Sequence, residues 1–246
     1  MSYQVKQIPF GKLVFEHFYL GVLFTVIYLT LGPKIIQYHL PGVAILLLVE
    51  AVMVPFILGH LLWSAKRLIG RYSIKAIIPF QNKISTKKFM LWSIGGILVS
   101  LLVYVPLYPL GLFLRESVFG WLPEWYFNPT YGTDDINTIA NFFLIGIFLD
   151  GLLAPAAEEL FFRGYLLPRM AYLKNWAPVL NGAFFGLYHF WQPHNWIASI
   201  ILGIIFSFAV WKTKNVYVGM AIHCSLNILG ALSAYFAVTN GIMIGR

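Results

Sequence analysis

The sequence predicts an all-α fold, a helical bundle that crosses a membrane with about seven or eight transmembrane helices. The first observation is composition: 59% of the 246 residues are hydrophobic and only 11% are charged. Soluble domains carry about 25% charged residues, so the class of soluble globular proteins is excluded. The second observation is that apolar runs of about 20 residues recur, which is the length of a transmembrane helix. The third is the lack of the ~10-residue alternating segments that are typical of membrane barrels.

Seven apolar segments predict the spans in chain order. The segment Glu158–Leu173 continues the helical pattern after the fourth span and is a candidate eighth element. Pro155 either begins a new helix there or kinks an existing one, because proline removes a helical hydrogen bond. The predicted cores are Phe18–Leu31, Pro41–Trp63, Met90–Leu114, Ile139–Ala157, Trp176–Trp191, Trp196–Trp211 and Val216–Val238.

The charges of the connecting segments predict the orientation of these spans. Residues 64–89 hold seven Lys and Arg and no acid, whereas residues 115–138 hold four acids and one Arg. Because basic residues concentrate in cytoplasmic loops, the first segment is expected inside and the N-terminus with it. This arrangement places fourteen of the 17 basic residues in the cytoplasm and explains the net charge of +8. No nucleic-acid partner is expected, since no basic stretch is interleaved with a stacking surface.

Three polar clusters interrupt the apolar segments in the second half of the chain. They are Glu-Glu-Leu-Phe-Phe-Arg at 158–163, Phe-Gly-Leu-Tyr-His at 185–189 and His-Cys-Ser-Leu-Asn at 223–227. Burial of such groups costs on the order of several kcal/mol unless they are paired. Ionisable residues within transmembrane segments therefore indicate a functional site.

The spacing of the first two clusters predicts that they meet. If Glu158–Leu173 and Trp176–Trp191 form an antiparallel hairpin, Glu158 precedes the turn by about as many residues as His189 follows it. Glu158 and His189 are then expected to face each other. His223 and Asn227 are four residues apart on the last span and share a helix face.

The residue types of these clusters indicate acid–base chemistry. Glu158 and Glu159 point about 100° apart on a helix, and Arg163 lies four residues after Glu159, the spacing of an ion pair. We therefore pair Glu159 with Arg163 and leave Glu158 to take a proton from water as a general base. The alternative is an ion-paired kink that holds two helices together.

The remaining site residues have two interpretations each. His189 either orients the same water or is a buried core histidine, and Phe185 either packs against the site or is an ordinary core aromatic. His223 and Asn227 supply the two N–H donors that a tetrahedral oxyanion needs. An asparagine within a span can equally bond a neighbouring helix. Three further intramembrane ionisable residues fit no cluster from sequence alone, namely Glu50, His60 and Asp150.

The three motifs together resemble the CAAX protease and bacteriocin-processing family, also called Abi or type II CAAX endopeptidases, over about Leu153–Leu229. Members of this family are intramembrane glutamate proteases. The resemblance implies a helical bundle with a conical cavity, with Glu158 and His189 activating water and His223 and Asn227 forming the oxyanion site. It assigns Glu159 and Arg163 to the rest of the first motif, and it implies no metal or other cofactor. Substrates are either prenylated CAAX-type proteins or bacteriocin-type peptides.

We accordingly expect one integral membrane domain over residues 1–246, with a catalytic core at residues 139–238, in a bacterial or archaeal cell membrane. Its partners are membrane lipids and a peptide or lipidated protein substrate. The alternatives are a zinc protease that uses Glu158 or Glu159 with His189 and His223, a non-catalytic bacteriocin-immunity or membrane interaction protein, and a transporter. The usual His-Glu-x-x-His helix of zinc proteases is missing, and no paired broken-helix repeat supports a transporter.

Overall fold

The computed structural model describes residues 5–242 as a bundle of α-helices. Within that range there is no β-strand, and an isolated antiparallel bridge pairs Gln81 with Asn215. The helices of this range are α1 (Phe10–Gln37), α2 (Val43–Ile69), α3 (Ile74–Ile77), α4 (Thr86–Phe113), α5 (Ile136–Phe148), α6 (Ala154–Glu159), α7 (Trp176–Tyr188), α8 (Trp196–Thr213) and α9 (Val216–Thr239).

Six helical segments of the described chain are long and apolar enough to cross a membrane. The predicted all-α, multi-span membrane bundle is therefore confirmed. These segments are Phe10–Gln37, Val43–Ile69, Thr86–Val118, Ile136–Leu173, Pro193–Thr213 and Val216–Thr239.

The number of spanning segments is lower than the predicted seven or eight because two predicted elements do not span by themselves. Helix α7 has 13 residues, or about 20 Å at the α-helical rise, whereas the apolar core of a bilayer is about 30 Å thick. The segment Glu158–Leu173 is not a separate helix, since it continues the helical run from Ile136 to Leu173. Pro155 lies inside this run, directly after a π-helical turn at Leu149–Leu153.

Helices α7 and α8 pack backbone to backbone. A Cβ atom added at Gly182 would clash with the backbone of Gly203 and Ile204, and one added at Gly186 would clash with the backbone of Ile200. Only glycine permits this approach, because any other side chain would separate the two helices. The close contact fixes the end of α7, where two residues of the site are found.

Helix α4 lies at the periphery of the bundle. Only Ser93 and Ser100 are buried on it, while Leu91 is 69% and Leu102 is 75% exposed. An apolar helix that exposes such side chains fits contact with lipid. The interior between α2, the run Ile136–Leu173, α7 and α9 contains the three polar clusters.

Candidate active site

The helical run Ile136–Leu173 positions the first polar cluster between two π-helical turns. These turns are Leu149–Leu153 and Leu160–Leu166, and α6 with its two glutamates lies between them. At the first turn the N–H of Ala154 donates to the carbonyl of Leu149, five residues back. An α-helix would direct that N–H to Asp150 instead, so the Asp150 carbonyl is left to a donor outside the helix.

Glu158 is buried and has an aromatic hydroxyl and two imidazoles as neighbours. The Tyr188 hydroxyl donates a hydrogen bond to Glu158 Oε1. His189 Nε2 lies 4.0 Å from the same oxygen, and His223 Nε2 lies 3.9 Å from Oε2. The expected juxtaposition of Glu158 and His189 is therefore present, and Tyr188 joins it.

The sequence did not identify Tyr188 as a site residue, because the side chains of adjacent residues on a helix point in different directions. Helix α7 ends at Tyr188, and His189 lies beyond it with φ −76° and ψ 60°. This change of backbone direction lets both side chains reach Glu158. His189 Nδ1 lies 2.9 Å from the Phe185 carbonyl oxygen. A carbonyl only accepts, so Nδ1 carries the hydrogen, and in the neutral ring Nε2 keeps its lone pair toward Glu158.

Glu159 and Arg163 form the ion pair that their spacing indicated. Arg163 Nη1 donates to Glu159 Oε1 at 2.8 Å, and both side chains are fully buried. The same guanidinium donates from Nε to Ser207 Oγ at 3.2 Å and from Nη2 to the Gly203 carbonyl at 3.1 Å. It also lies over the Phe185 ring, 3.9 Å from the ring centre. The Glu159–Arg163 ion pair therefore links the helical run Ile136–Leu173 to α8.

His223 lies between the two adjacent glutamates. Its Nδ1 is 3.1 Å from Glu159 Oε1, and its Nε2 faces Glu158 Oε2. The two carboxylates diverge, as expected, yet they contact opposite edges of one imidazole. Since a carboxylate only accepts, Nδ1 is the donor to Glu159. The Phe185 ring packs edge-on against the rings of both His189 and His223, with centres 4.9 and 5.6 Å apart.

Asn227 contacts the π-helical turn. Its side-chain nitrogen donates to the Asp150 carbonyl oxygen at 3.0 Å, and the Asp150 carboxylate Oδ1 lies at 3.5 Å. The amide thus makes a short hydrogen bond to the Asp150 carbonyl and a longer one to the Asp150 carboxylate, and both join α9 to the π-helical turn. The interhelical bond that the sequence left open for Asn227 is present, and Asn227 also lines the cavity next to Glu158.

A cavity of about 160 Å³ connects these groups, and it contains two carboxyl groups that sequence reasoning assigned to no cluster. Glu158, His189, His223 and Asn227 line it together with Glu50 from α2 and Asp150. The carboxyl groups of Glu50 and Asp150 lie in hydrogen-bonding contact.

His60 does not line this cavity and belongs to another polar group. Its Nδ1 bonds the Tyr19 hydroxyl at 2.7 Å, and its Nε2 lies 3.5 Å from Glu16 Oε2. Over residues 5–242, no group of three or more His, Cys, Asp or Glu is arranged to hold a metal ion.

The fold and the cavity define a multi-pass membrane protein with a carboxylate–imidazole site inside the bundle. A family model described as Type II CAAX prenyl endopeptidase Rce1-like matches residues 140–229. The matched part contains all three polar clusters, and it is similar to this family of membrane proteases. The comparison with curated proteins and the comparison with solved structures each found no match.

Proposed function

We propose that this protein is a metal-independent intramembrane endopeptidase in which Glu158 and His189 activate the attacking water. The observation that carries the proposal is the buried Glu158 carboxylate, which lies about 4 Å from two imidazoles at the wall of the cavity. This separation exceeds a direct hydrogen bond and suits one bridging water. Site residues of this kind perform general acid–base catalysis in many hydrolases.

In the first step, one water donates its two hydrogens to Glu158 and His189 Nε2. Its oxygen lone pair then attacks the carbonyl carbon of the peptide bond, and Glu158 takes a proton. The hydrogen bond from Tyr188 holds Glu158 Oε1 in place during this transfer. The products of the step are a protonated Glu158 and a tetrahedral oxyanion.

In the proposed mechanism His223 and Asn227 stabilise that oxyanion. The His223 Nδ1–H is used by Glu159, so a donor at Nε2 makes the ring an imidazolium, flanked by the carboxylates of Glu158 and Glu159. Asn227 contributes the amide hydrogen of its longer bond to Asp150 Oδ1, which it exchanges for the oxyanion. Collapse of the intermediate breaks the C–N bond, and Glu158 returns its proton to the leaving amine. Glu159 and Arg163 orient His223, and Phe185 packs against both imidazoles.

The proposed substrates are prenylated CAAX-type proteins or bacteriocin-type peptides that reach the site from the bilayer. The family description itself names a prenyl endopeptidase, which supports the first class. The proposal includes a cytoplasmic N-terminus and a bacterial or archaeal cell membrane.

The test is cleavage of a prenylated CAAX-type peptide and of a leader-type peptide by detergent-purified protein, with and without a chelator. Wild-type protein is expected to cleave one of them at the same rate in both conditions, and Glu158→Gln is expected to be inactive while it remains folded. Loss of activity in the chelator would contradict the metal-independent reaction. Full activity of Glu158→Gln would contradict the role of that carboxylate.

A further inference from the structure

One wall of the active-site cavity carries two carboxyl groups that the proposed hydrolysis does not use. Glu50, on α2, is 6% exposed, and Asp150 lies in hydrogen-bonding contact with it. Within residues 5–242, no N–H or O–H group donates to Glu50 Oε2, which is buried at the cavity wall. A buried acceptor without a donor is costly, and this oxygen is therefore suited to a donor group of a ligand.

Apart from the His223 ring that the proposed mechanism charges, the described lining of the cavity offers no cation to these acids. Its ionisable lining consists of Glu50, Asp150, Glu158, His189 and His223, and no Lys or Arg of the described chain lines it. The guanidinium of Arg163 is fully buried against Glu159 on α6 and is not part of the lining. Carboxyl groups in a membrane interior are stable when they are paired with a cation or with donors, and such groups often mark a substrate path.

A second cavity is lined by Asp150 as well. It has a volume of about 250 Å³, shares Leu46, Asp150 and Gln192 with the first, and is bounded by the loop that contains Trp125 and Asn128. Its lining within the described chain also lacks Lys and Arg. A peptide in an extended conformation that has its scissile carbonyl at Glu158 can therefore place a neighbouring residue at Glu50 and Asp150, which line the same cavity.

We propose that Glu50 and Asp150 form a subsite that binds a cationic group of the substrate, either a Lys or Arg side chain or a free α-amino group. The inference rests on the proposed function and names its substrate class: peptides with a positive charge close to the scissile bond. An ammonium or guanidinium group donates to Glu50 Oε2 and offsets the charge of the pair. A C-terminal carboxylate at the same place meets two carboxyl groups and is disfavoured.

The test uses matched peptides in which one lysine, moved stepwise across the cleavage site, is compared with Nε-acetyl-lysine at the same position. A charge-assisted hydrogen bond supports a preference for lysine of about 10- to 100-fold in kcat/KM at one position. In the double variant Glu50→Gln/Asp150→Asn this ratio is expected to fall to near one. Glu16→Gln, which removes a buried carboxyl group outside this cavity, is the matched control and should keep the ratio.

The possible outcomes separate the subsite from the proposed function. Equal kcat/KM for the two peptides at every position, or a lysine preference that persists in the double variant, overturns the subsite. If Glu158→Gln is inactive and no lysine preference exists, only the subsite fails. If Glu158→Gln cleaves as well as wild type, the proposed hydrolysis fails.

A second measurement needs no turnover and covers the case in which the double variant does not fold. The melting temperature of purified protein is measured with n-butylammonium and with n-butanol, a neutral probe of similar size. We expect only the ammonium to raise the melting temperature of wild type, and we expect Glu50→Gln alone to reduce that shift. Equal shifts with both probes, or an undiminished ammonium shift in Glu50→Gln, would contradict the subsite.

Discussion

The Asn227 side-chain amide donates to the Asp150 carbonyl oxygen at 3.0 Å, in place of the backbone N–H that a regular α-helix would supply. The π-helical turn at Leu149–Leu153 thus makes an acceptor available to α9. The same nitrogen also lies 3.5 Å from Asp150 Oδ1, and in the proposed mechanism this longer hydrogen bond is exchanged for one to the oxyanion.

Substitution of Asn227 by alanine removes this donor and is expected to lower kcat by about 10²- to 10³-fold, the usual cost of one lost oxyanion donor. The measurement is kcat on the cleaved peptide, with the melting temperature as a check of folding. Since Glu158 and His189 remain, residual activity should stay above that of Glu158→Gln. An unchanged kcat would remove Asn227 from the proposed oxyanion site.

Tyr188→Phe removes the hydroxyl that donates to Glu158 but keeps the ring, which packs against Phe162 with centres 4.9 Å apart. Hydrogen bonds to charged groups contribute about 1.5–3 kcal/mol, so we expect kcat to fall by at least about tenfold. Tyr19→Phe is the matched control, because its hydroxyl bonds His60 away from the cavity. A comparable loss of kcat in both variants would point to a general effect on folding.

Glu159→Gln is expected to destabilise the protein as well as slow it. The substitution leaves the Arg163 guanidinium fully buried without its carboxylate and weakens the contact with His223 Nδ1. Removal of one partner of a buried ion pair costs about 3–5 kcal/mol. Thermal unfolding in detergent measures the change, and Glu16→Gln serves as control because the Lys12 partner of Glu16 is largely exposed. Equal, small decreases in the melting temperature of both variants would contradict this prediction.

Gly182→Ala is expected to separate α7 from α8 and to displace His189. The new methyl group would meet the backbone of Gly203 and Ile204, which cannot move aside as a side chain can. Overpacking of this kind costs about 1–3 kcal/mol. Gly59→Ala is the control, since its Cβ would meet no atom within 4 Å. The prediction holds if the melting temperature falls for Gly182→Ala alone, and a neutral Gly182→Ala would refute it.

Much of the site follows from residue spacing. The positions of Glu158 and His189 about the turn at Lys174 predicted their juxtaposition, and the four-residue spacing of Glu159 and Arg163 predicted their ion pair. These relations depend on local helical geometry, which the sequence encodes directly. The contact between Tyr188 and Glu158 could not be predicted from spacing. It depends on where α7 ends, and helix ends are hard to predict.

The sequence by itself determined that this chain is an all-α membrane bundle with its polar groups in three late clusters, because apolar run length and motif spacing are local properties. Only the tertiary structure decided that α7 is too short to span and that His223 lies between two glutamates. It also decided that Glu50 joins Asp150 at the same cavity. Glu50 and Asp150 are 100 residues apart in the chain, and their contact results from the packing of α2 against a π-helical turn. No periodicity within either segment specifies that packing.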